Sequence, residues 1–268
     1  MAVITAGARD SGVVAWRNLM NVRRQPDLLL GATLQPIMFV LLFAYVFGGS
    51  IGGDADAYRE FLMGGIFAQT VAFNSAYTTL GMAADLDKGV IDRFRSLPMS
   101  RAAVLLGRTS ADLAVSALGL VVMAVCGLIV GWRIRGSLLD AVAAFALLLL
   151  FSFAMSWIGA WVGMVSGNVQ VAQSAGFIWM FPFAFISSAF VSASSMPGFL
   201  RTIAEWNPVT AAADAARTLF ENPRPGILGT SDAWPAQHPV LWSLICSLII
   251  LAIFVPLAVG KYRKVASK

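Results

Sequence analysis

Between positions 87 and 100 the chain reads DKGVIDRFRSLPMS. Val90, Ile91, Phe94 and Leu97 stand at helical spacing among Asp87, Lys88, Asp92, Arg93 and Arg95, and Pro98 ends the run. The pattern predicts a short amphipathic helix over 87–97. A loop this short has no core of its own, so the chemistry it offers is docking. Ile91, Phe94 and Leu97 would enter a partner's groove while Arg93 meets acidic groups at its rim. Asp87, Gly89, Ile91, Arg93, Phe94, Leu97 and Pro98 are therefore the candidate contact residues.

A second set of candidates lies in apolar surroundings. The run 61–83 carries a polar face of Gln69, Thr70, Asn74, Ser75, Thr78 and Thr79. The run 169–191 places Gln173, Ser174, Trp179, Phe181, Phe183 and Phe185 around Pro182, and Gln35 precedes Pro36 further upstream. Aromatic rings with scattered, uncharged hydrogen-bonding groups suit a hydrophobic or amphipathic small molecule. The same Ser, Thr, Asn and Gln side chains also join membrane helices to each other. Gln35, Gln69, Asn74, Thr78, Gln173, Trp179, Phe181 and Phe185 are the candidate pathway residues. Gly127-x-x-x-Gly131 and Gly159-x-x-x-Gly163 read as close helix packing.

Chemistry of other kinds has no foothold in the sequence. The only histidine, His238, stands alone, and no nucleophile has a base or paired carboxylate near it in the pattern. No spacing of His, Cys and carboxylates suggests a metal site, and Cys126 and Cys246 lie inside apolar runs as small hydrophobes. Gly260-Lys261-Tyr262 lacks both the glycine loop and the Ser or Thr of a P-loop. No catalytic residue, metal or cofactor is expected on the chain, and any uphill work needs energy delivered by another protein.

The elements that must hold these residues are membrane helices. The chain is 58% hydrophobic and only 12% charged, about half the charged share of a soluble domain. Apolar runs long enough to cross a bilayer fall at 28–48, 61–83, 111–131, 140–165, 169–191 and 240–260, with kinks expected at Pro36 and Pro182. With six spans both termini share a side. Thirteen of the nineteen Lys and Arg residues then lie on that side, which the positive-inside rule makes cytoplasmic. Arg133 and Arg135, in the turn after the third run, go against the rule. The +5 net charge is spread between apolar blocks and forms no nucleic-acid patch.

Two further segments complete the expected all-α integral membrane protein. Residues 11–25 place Val13, Trp16, Leu19 and Met20 on one arc of an interfacial helix. In the outer segment, Pro197 and Pro208 suit first helical positions, Asn207 suits a cap, and Val209, Ala213, Ala216 and Phe220 repeat at helical spacing. The whole of 1–268 is expected to form one transmembrane domain. It comprises a cytoplasmic and interfacial segment (1–27), five spans with the 87–97 helix between the second and third (28–191), an outer segment with short helices (192–239), and the sixth span with its tail (240–268).

These parts together resemble the permease subunits of type-2 ABC exporters, in particular the drug-resistance permeases of actinobacteria, over nearly the whole chain. The resemblance is carried by "VVAWRNLMNVRRQPDLLL", by "DKGVIDRFRSLPMSRAAVLLGRTSADL", by the order of spans, and by "MPGFLRTIAEWNPVTAAADAARTLF" before the last span. The second is the most specific, with its acidic-x-Gly, Leu-x-x-x-Pro and Gly-Arg elements, although the family often has Glu where Asp85 and Asp87 stand here.

The resemblance implies a dimer of permeases in the cell membrane, each docked to one of two copies of a separate ATPase that holds ATP and Mg. It makes 87–97 the coupling helix, sets the N-terminal helix beside the ATPase, lines the dimer interface and cavity with spans two and five, and lets the outer helices dip into the outer leaflet. The cargo it implies is a hydrophobic or amphipathic compound such as a drug, antibiotic or lipid-like metabolite. A glycan or glycolipid exporter of the same architecture is the alternative, and a membrane scaffold without transport a more distant one.

Overall fold

The structure, a computed structural model, describes Met20, Leu34 and residues 36–47, 55–89, 101–222 and 232–265. Most of the expected interfacial helix and the stretch from Val90 to Ser100 lie outside the described residues. All regular elements among the described residues are helical. In chain order they are α1 (Pro36–Val46), α2 (Ala55–Asp87), α3 (Arg101–Val130), α4 (Leu138–Ser166), α5 (Val169–Phe185), α6 (Gly198–Trp206), α7 (Pro208–Leu219), α8 (Trp234–Gln237) and α9 (Pro239–Val265). The last turns of α1 widen into a π-helix over Leu42–Phe47, and a 3-10 turn, Ala193–Ser195, precedes α6.

Three segments, Val104–Val130, Leu138–Ser166 and Pro239–Lys264, are long and apolar enough to cross a membrane. At 33 residues α2 is longer than any of them, yet less apolar, and the reason is its position. It is the central helix, packed against α4, α7, α5 and α3, and residues 60–73 are buried without interruption. A helix shielded from lipid by protein on every side keeps Gln, Asn, Ser and Thr without exposing them to hydrocarbon.

Close backbone approach joins α2 and α4. A Cβ at Gly159 would run into the carbonyl of Ser75, and one at Gly163 into the carbonyl of Thr79. The Ser75 and Thr79 hydroxyls fold back onto the carbonyls of Ala72 (2.6 Å) and Ser75 (3.0 Å), keeping this seam free of unpaired groups. Gly159→Leu should therefore destabilise the bundle by about 1–3 kcal/mol, the usual range for overpacking, read as a lower midpoint in thermal unfolding of the purified protein. In the other glycine pair the two members differ. Gly127 packs against Met63 and Trp132, whereas Gly131, at φ +108°, has open space around it and ends α3.

Three expected spans (61–83, 140–165 and 240–260) correspond to helices that overrun them by a few residues, and α3 starts ten residues before its expected span and ends at Val130, but 169–191 departs further. The helix α5 stops at Phe185 after 17 residues, about 25 Å at 1.5 Å per residue and short of a ~30 Å hydrocarbon core. The backbone beyond it finds partners from another element. The Asn207 amide donates to the carbonyls of Phe183 (2.8 Å) and Ile186 (2.6 Å), and Arg217 donates to those of Ser188 and Ala189. Irregular backbone is tolerated at membrane depth when protein satisfies it in this way. Of the expected first span only Leu34 and 36–47 are described.

In the outer segment Asn207 caps α7 through the Val209 amide (2.8 Å) and Pro208 opens the helix. Pro197 is the residue before α6 and not its first, so that expectation is off by one. More consequentially, α7 is no surface helix: Val209 through Arg217 are all buried against α2, α9 and α4. Its small side chains allow that. By contrast α6 is amphipathic and turns Phe199, Ile203 and Trp206 outward, while Arg201 and Glu205 pair on another face at 2.8 Å.

Candidate functional site

At one end of the bundle the turn joining α3 to α4 is locked to α2 and to the end of α7. Trp132 is fully buried and donates to the Asn222 side chain (2.6 Å), which in turn donates to the carbonyl of Arg133 (2.9 Å). Arg135 grips buried Glu60 through two nitrogens (3.0 and 2.6 Å). Arg133 donates to the carbonyls of Leu128 and Trp132 at the C-terminal end of α3, where a cation is favoured. Both arginines that broke the charge rule thus have structural work at this end.

The same end holds Arg217, which is 1% exposed. Its Nε donates to the Phe61 carbonyl (2.7 Å), and Nη1 donates to Asp214 Oδ1 (2.7 Å) and Ser188 Oγ (3.1 Å). Nη2 donates to the carbonyls of Ser188 (2.8 Å) and Ala189 (3.0 Å), and the guanidinium carbon lies 3.6 Å from the centroid of the Phe61 ring. Nearby, Tyr58 donates to the Phe190 carbonyl at 3.3 Å, and burial pushes its phenol up to about 12, so it remains a neutral donor. In the charge pattern of the sequence Arg217 is only one of the six arginines expected on the outer side. Its one local signal was Asp214 one turn upstream on the same helix.

At the opposite end α2 and α3 are tied just where residues 90–100 connect them. Arg108 meets Asp85 at 3.0 Å and Asp112 at 3.6 Å, lying across Gly81, where any Cβ would strike its guanidinium. Because α3 begins at Arg101, ten residues before the expected run at 111–131, Arg108 and Asp112 both lie inside the helix. Thr78 is within hydrogen-bonding reach of Asp112.

Of the expected helix over 87–97 only residues 87–89 are described. Asp87 is the exposed last residue of α2, and Gly89, at φ +63°, turns the chain away with its amide on the Leu86 carbonyl (3.0 Å). Ile91, Arg93, Phe94, Leu97 and Pro98 lie outside the described residues.

The pathway candidates divide. Gln69 and Asn74 line a small open cleft of about 20 Å³ between α1 and α2 together with Pro36, Phe39, Ile66, Thr70, Phe73 and Tyr77. Phe181 meets Phe73 edge-on at 5.7 Å and stacks on Phe185 at 5.5 Å. Asn74 also serves packing: its amide donates to Ser116 Oγ (3.0 Å), which accepts from Ser152 Oγ (2.7 Å), joining α2, α3 and α4. Thr78 is fully buried on the Asp112 side, Trp179 packs edge-on against Phe183, Gln173 is exposed on α5, and Gln35 lies outside the described residues. Among the described residues no group of His, Cys, Asp and Glu is arranged to hold a metal, and His238 stacks on Trp234.

Long apolar helices around a polar, protein-shielded centre define a membrane protein. Residues 10–220 match the family described as ABC-2 type transporter, and the chain belongs to that family. It is 32% identical over 269 residues to the daunorubicin resistance ABC transporter permease protein DrrB1 of Streptomyces coeruleorubidus, covering 97% of this chain and 91% of the other. It is 22% identical over 255 residues to the probable doxorubicin resistance ABC transporter permease protein DrrC of Mycobacterium tuberculosis, covering 94% and 87%. With the putative transport permease ycf38 of Pyropia yezoensis it shares 24% identity over 218 residues, covering 77% and 72%. Such chains are membrane components of transporters, and membership implies an ABC ATPase as partner.

Proposed function

We propose that this chain is the permease subunit of an ATP-driven exporter that carries a hydrophobic or amphipathic drug or antibiotic out of the cell. The observation that carries the reading is the match along 97% of the chain to a permease named for daunorubicin resistance. The cleft agrees with it, because Gln69, Thr70, Asn74 and Tyr77 supply a few uncharged polar groups among aromatic walls. A glycan would call for many more hydrogen-bonding partners than these four.

In this reading two permease copies form the pore and each seats its 87–97 coupling helix on an ATPase that holds ATP and Mg. The chain crosses the cell membrane six times with both termini in the cytoplasm. Gln69, Asn74, Phe181 and Phe185 face the cargo, while Thr78 holds the bundle together. Closure of the ATPase pair drives the α2–α3 end and rocks the helices toward an outward-open state.

Co-expression with its ATPase in a drug-sensitive host tests the function. Resistance and drug-stimulated ATP hydrolysis should appear with both subunits and with neither alone; resistance from the permease without the ATPase would overturn the reading. Topology has its own measurement, in a background where Cys126 and Cys246 are replaced by serine. Ser50→Cys should label from outside intact cells and Ser100→Cys only after permeabilisation. Labelling of both from the same side would defeat the six-span arrangement.

A further inference from the structure

We propose that Arg108 is a two-position latch between α2 and α3. It ties the helices together through Asp85, and it passes to Asp112 on its own helix when their ends move apart. Asp85 and Asp112 thus compete for one guanidinium and bias this end of the bundle in opposite directions. The exchange follows from the permease alone; only what drives it in the cell rests on the exporter reading.

The ties between α2 and α3 differ in how far they can move. Asn74 bonds Ser116 at 3.0 Å, and Ser152 of α4 braces the pair at 2.7 Å. Thr78, one turn along α2, reaches Asp112 close to that brace. Asp85 lies eleven residues beyond Asn74, about 16 Å at 1.5 Å per residue. A small tilt about the braced level is therefore felt mainly at Asp85. The surrounding contacts there are apolar, with Met82 and Leu86 of α2 against Leu105 of α3, Met164 of α4 and Tyr262 of α9. Apolar contact is non-directional, so the bond from Arg108 Nη1 to Asp85 at 3.0 Å sets the register of this end.

Arg108 is placed to be shared. It crosses α2 at Gly81, where any Cβ would strike its guanidinium, one turn before Asp85. While Nη1 holds Asp85, Nε faces Asp112 Oδ2 at 3.6 Å, beyond hydrogen-bond distance. Both of these atoms are buried and neither makes a hydrogen bond. A donor and an acceptor thus stand just short of bonding on one helix, at the i, i+4 spacing where side chains are neighbours. Releasing Arg108 from Asp85 with no other partner would leave a largely buried cation unpaired, which is strongly unfavourable. Asp112 removes that barrier, because its contact closes as the contact with Asp85 opens. The charge is compensated in both positions, as a two-state element requires.

Double electron–electron resonance on the full-length permease in lipid nanodiscs, without ATPase or nucleotide, reads the exchange. Spin labels go on Lys88→Cys and Leu106→Cys, both exposed. Cys126 and Cys246 are replaced by serine, and labelled chain is diluted into unlabelled chain. Asp85→Asn should raise the population with separated ends roughly two- to fivefold, the range for a partly exposed ion pair. Adding Asp112→Asn should reverse that rise, since neither position then holds the guanidinium. In Arg108→Gln, Asp112→Asn should change nothing further. All three substitutions keep the side chain close to its native size.

No rise in Asp85→Asn would overturn the proposal. So would a double variant that separates as far as Asp85→Asn or further, the behaviour of two carboxylates that merely stabilise the fold, or an equal effect of Asp112→Asn without Arg108. The exporter reading fails separately. Opposed effects of the two carboxylates with no ATP-driven resistance would leave the latch standing and remove the transport function.

Discussion

Arg217→Leu should lower the stability of the folded permease by about 3–5 kcal/mol, the usual cost of removing one partner from a buried charged network. The loss is large because one side chain fastens three pieces of backbone. Without it the carbonyls of Phe61, Ser188 and Ala189 lose their guanidinium donors, and Asp214 loses its cation at 2.7 Å. The unwound stretch after α5 is held by those bonds together with the Ser188 amide on the Thr210 hydroxyl (2.9 Å). Arg217→Lys should recover only part of the stability, because an ammonium cannot reproduce the fork that reaches Phe61 and Ser188 together. Gly64→Ala provides a check that changes no charge, since the added methyl would collide with the Arg217 stem. Thermal unfolding of the purified protein reads all three. A midpoint unchanged in Arg217→Leu would show that this network does not hold the outer segment.

The second large effect is expected at the opposite end and on a different measurement. Phe94→Asp should lower co-purification of the ATPase well over tenfold and abolish coupled ATP hydrolysis. An unpaired charge buried in a partner's groove costs several kcal/mol, and ~1.4 kcal/mol is a factor of ten in occupancy. Arg93→Glu should be milder if the side chain sits at a solvated rim, where an ion pair contributes about 0–1 kcal/mol. Both variants should insert and fold, because the apolar helices are untouched. The two large effects should therefore separate: Arg217→Leu lowers the unfolding midpoint, whereas Phe94→Asp leaves it in place and releases the partner. Normal ATPase binding by Phe94→Asp would remove the docking role from this segment.

Features set by near neighbours in the chain were legible. The cap of α7 is made by Asn207 and Pro208 with Val209, all adjacent in sequence, and type and order alone predict it. The boundaries of α4 were visible for a similar reason, as a long apolar run over 140–165 that the helix Leu138–Ser166 matches to within two residues. Gly159 and Gly163 announced a close approach by their spacing, although only the fold shows that the approaching surface is the backbone of α2 at Ser75 and Thr79. Of the pathway candidates, residue type singled out Gln69 and Asn74 equally. Their difference, one unpaired and one bonded to Ser116, arises from a neighbouring helix.

By itself the sequence determined that this is an α-helical membrane protein, where its long apolar helices lie, and which family it resembles. Hydropathy and short-range spacing record the free energy of placing a segment in lipid and the local cost of starting or ending a helix. The tertiary structure alone decided which polar groups are shielded, where α5 stops, and what the arginines do. Arg217 finds Phe61 across 156 positions of chain, and Arg135 finds Glu60 across 75. Nothing in a linear pattern separates such an arginine from a solvated one, because its burial is compensated only by groups that folding brings to it.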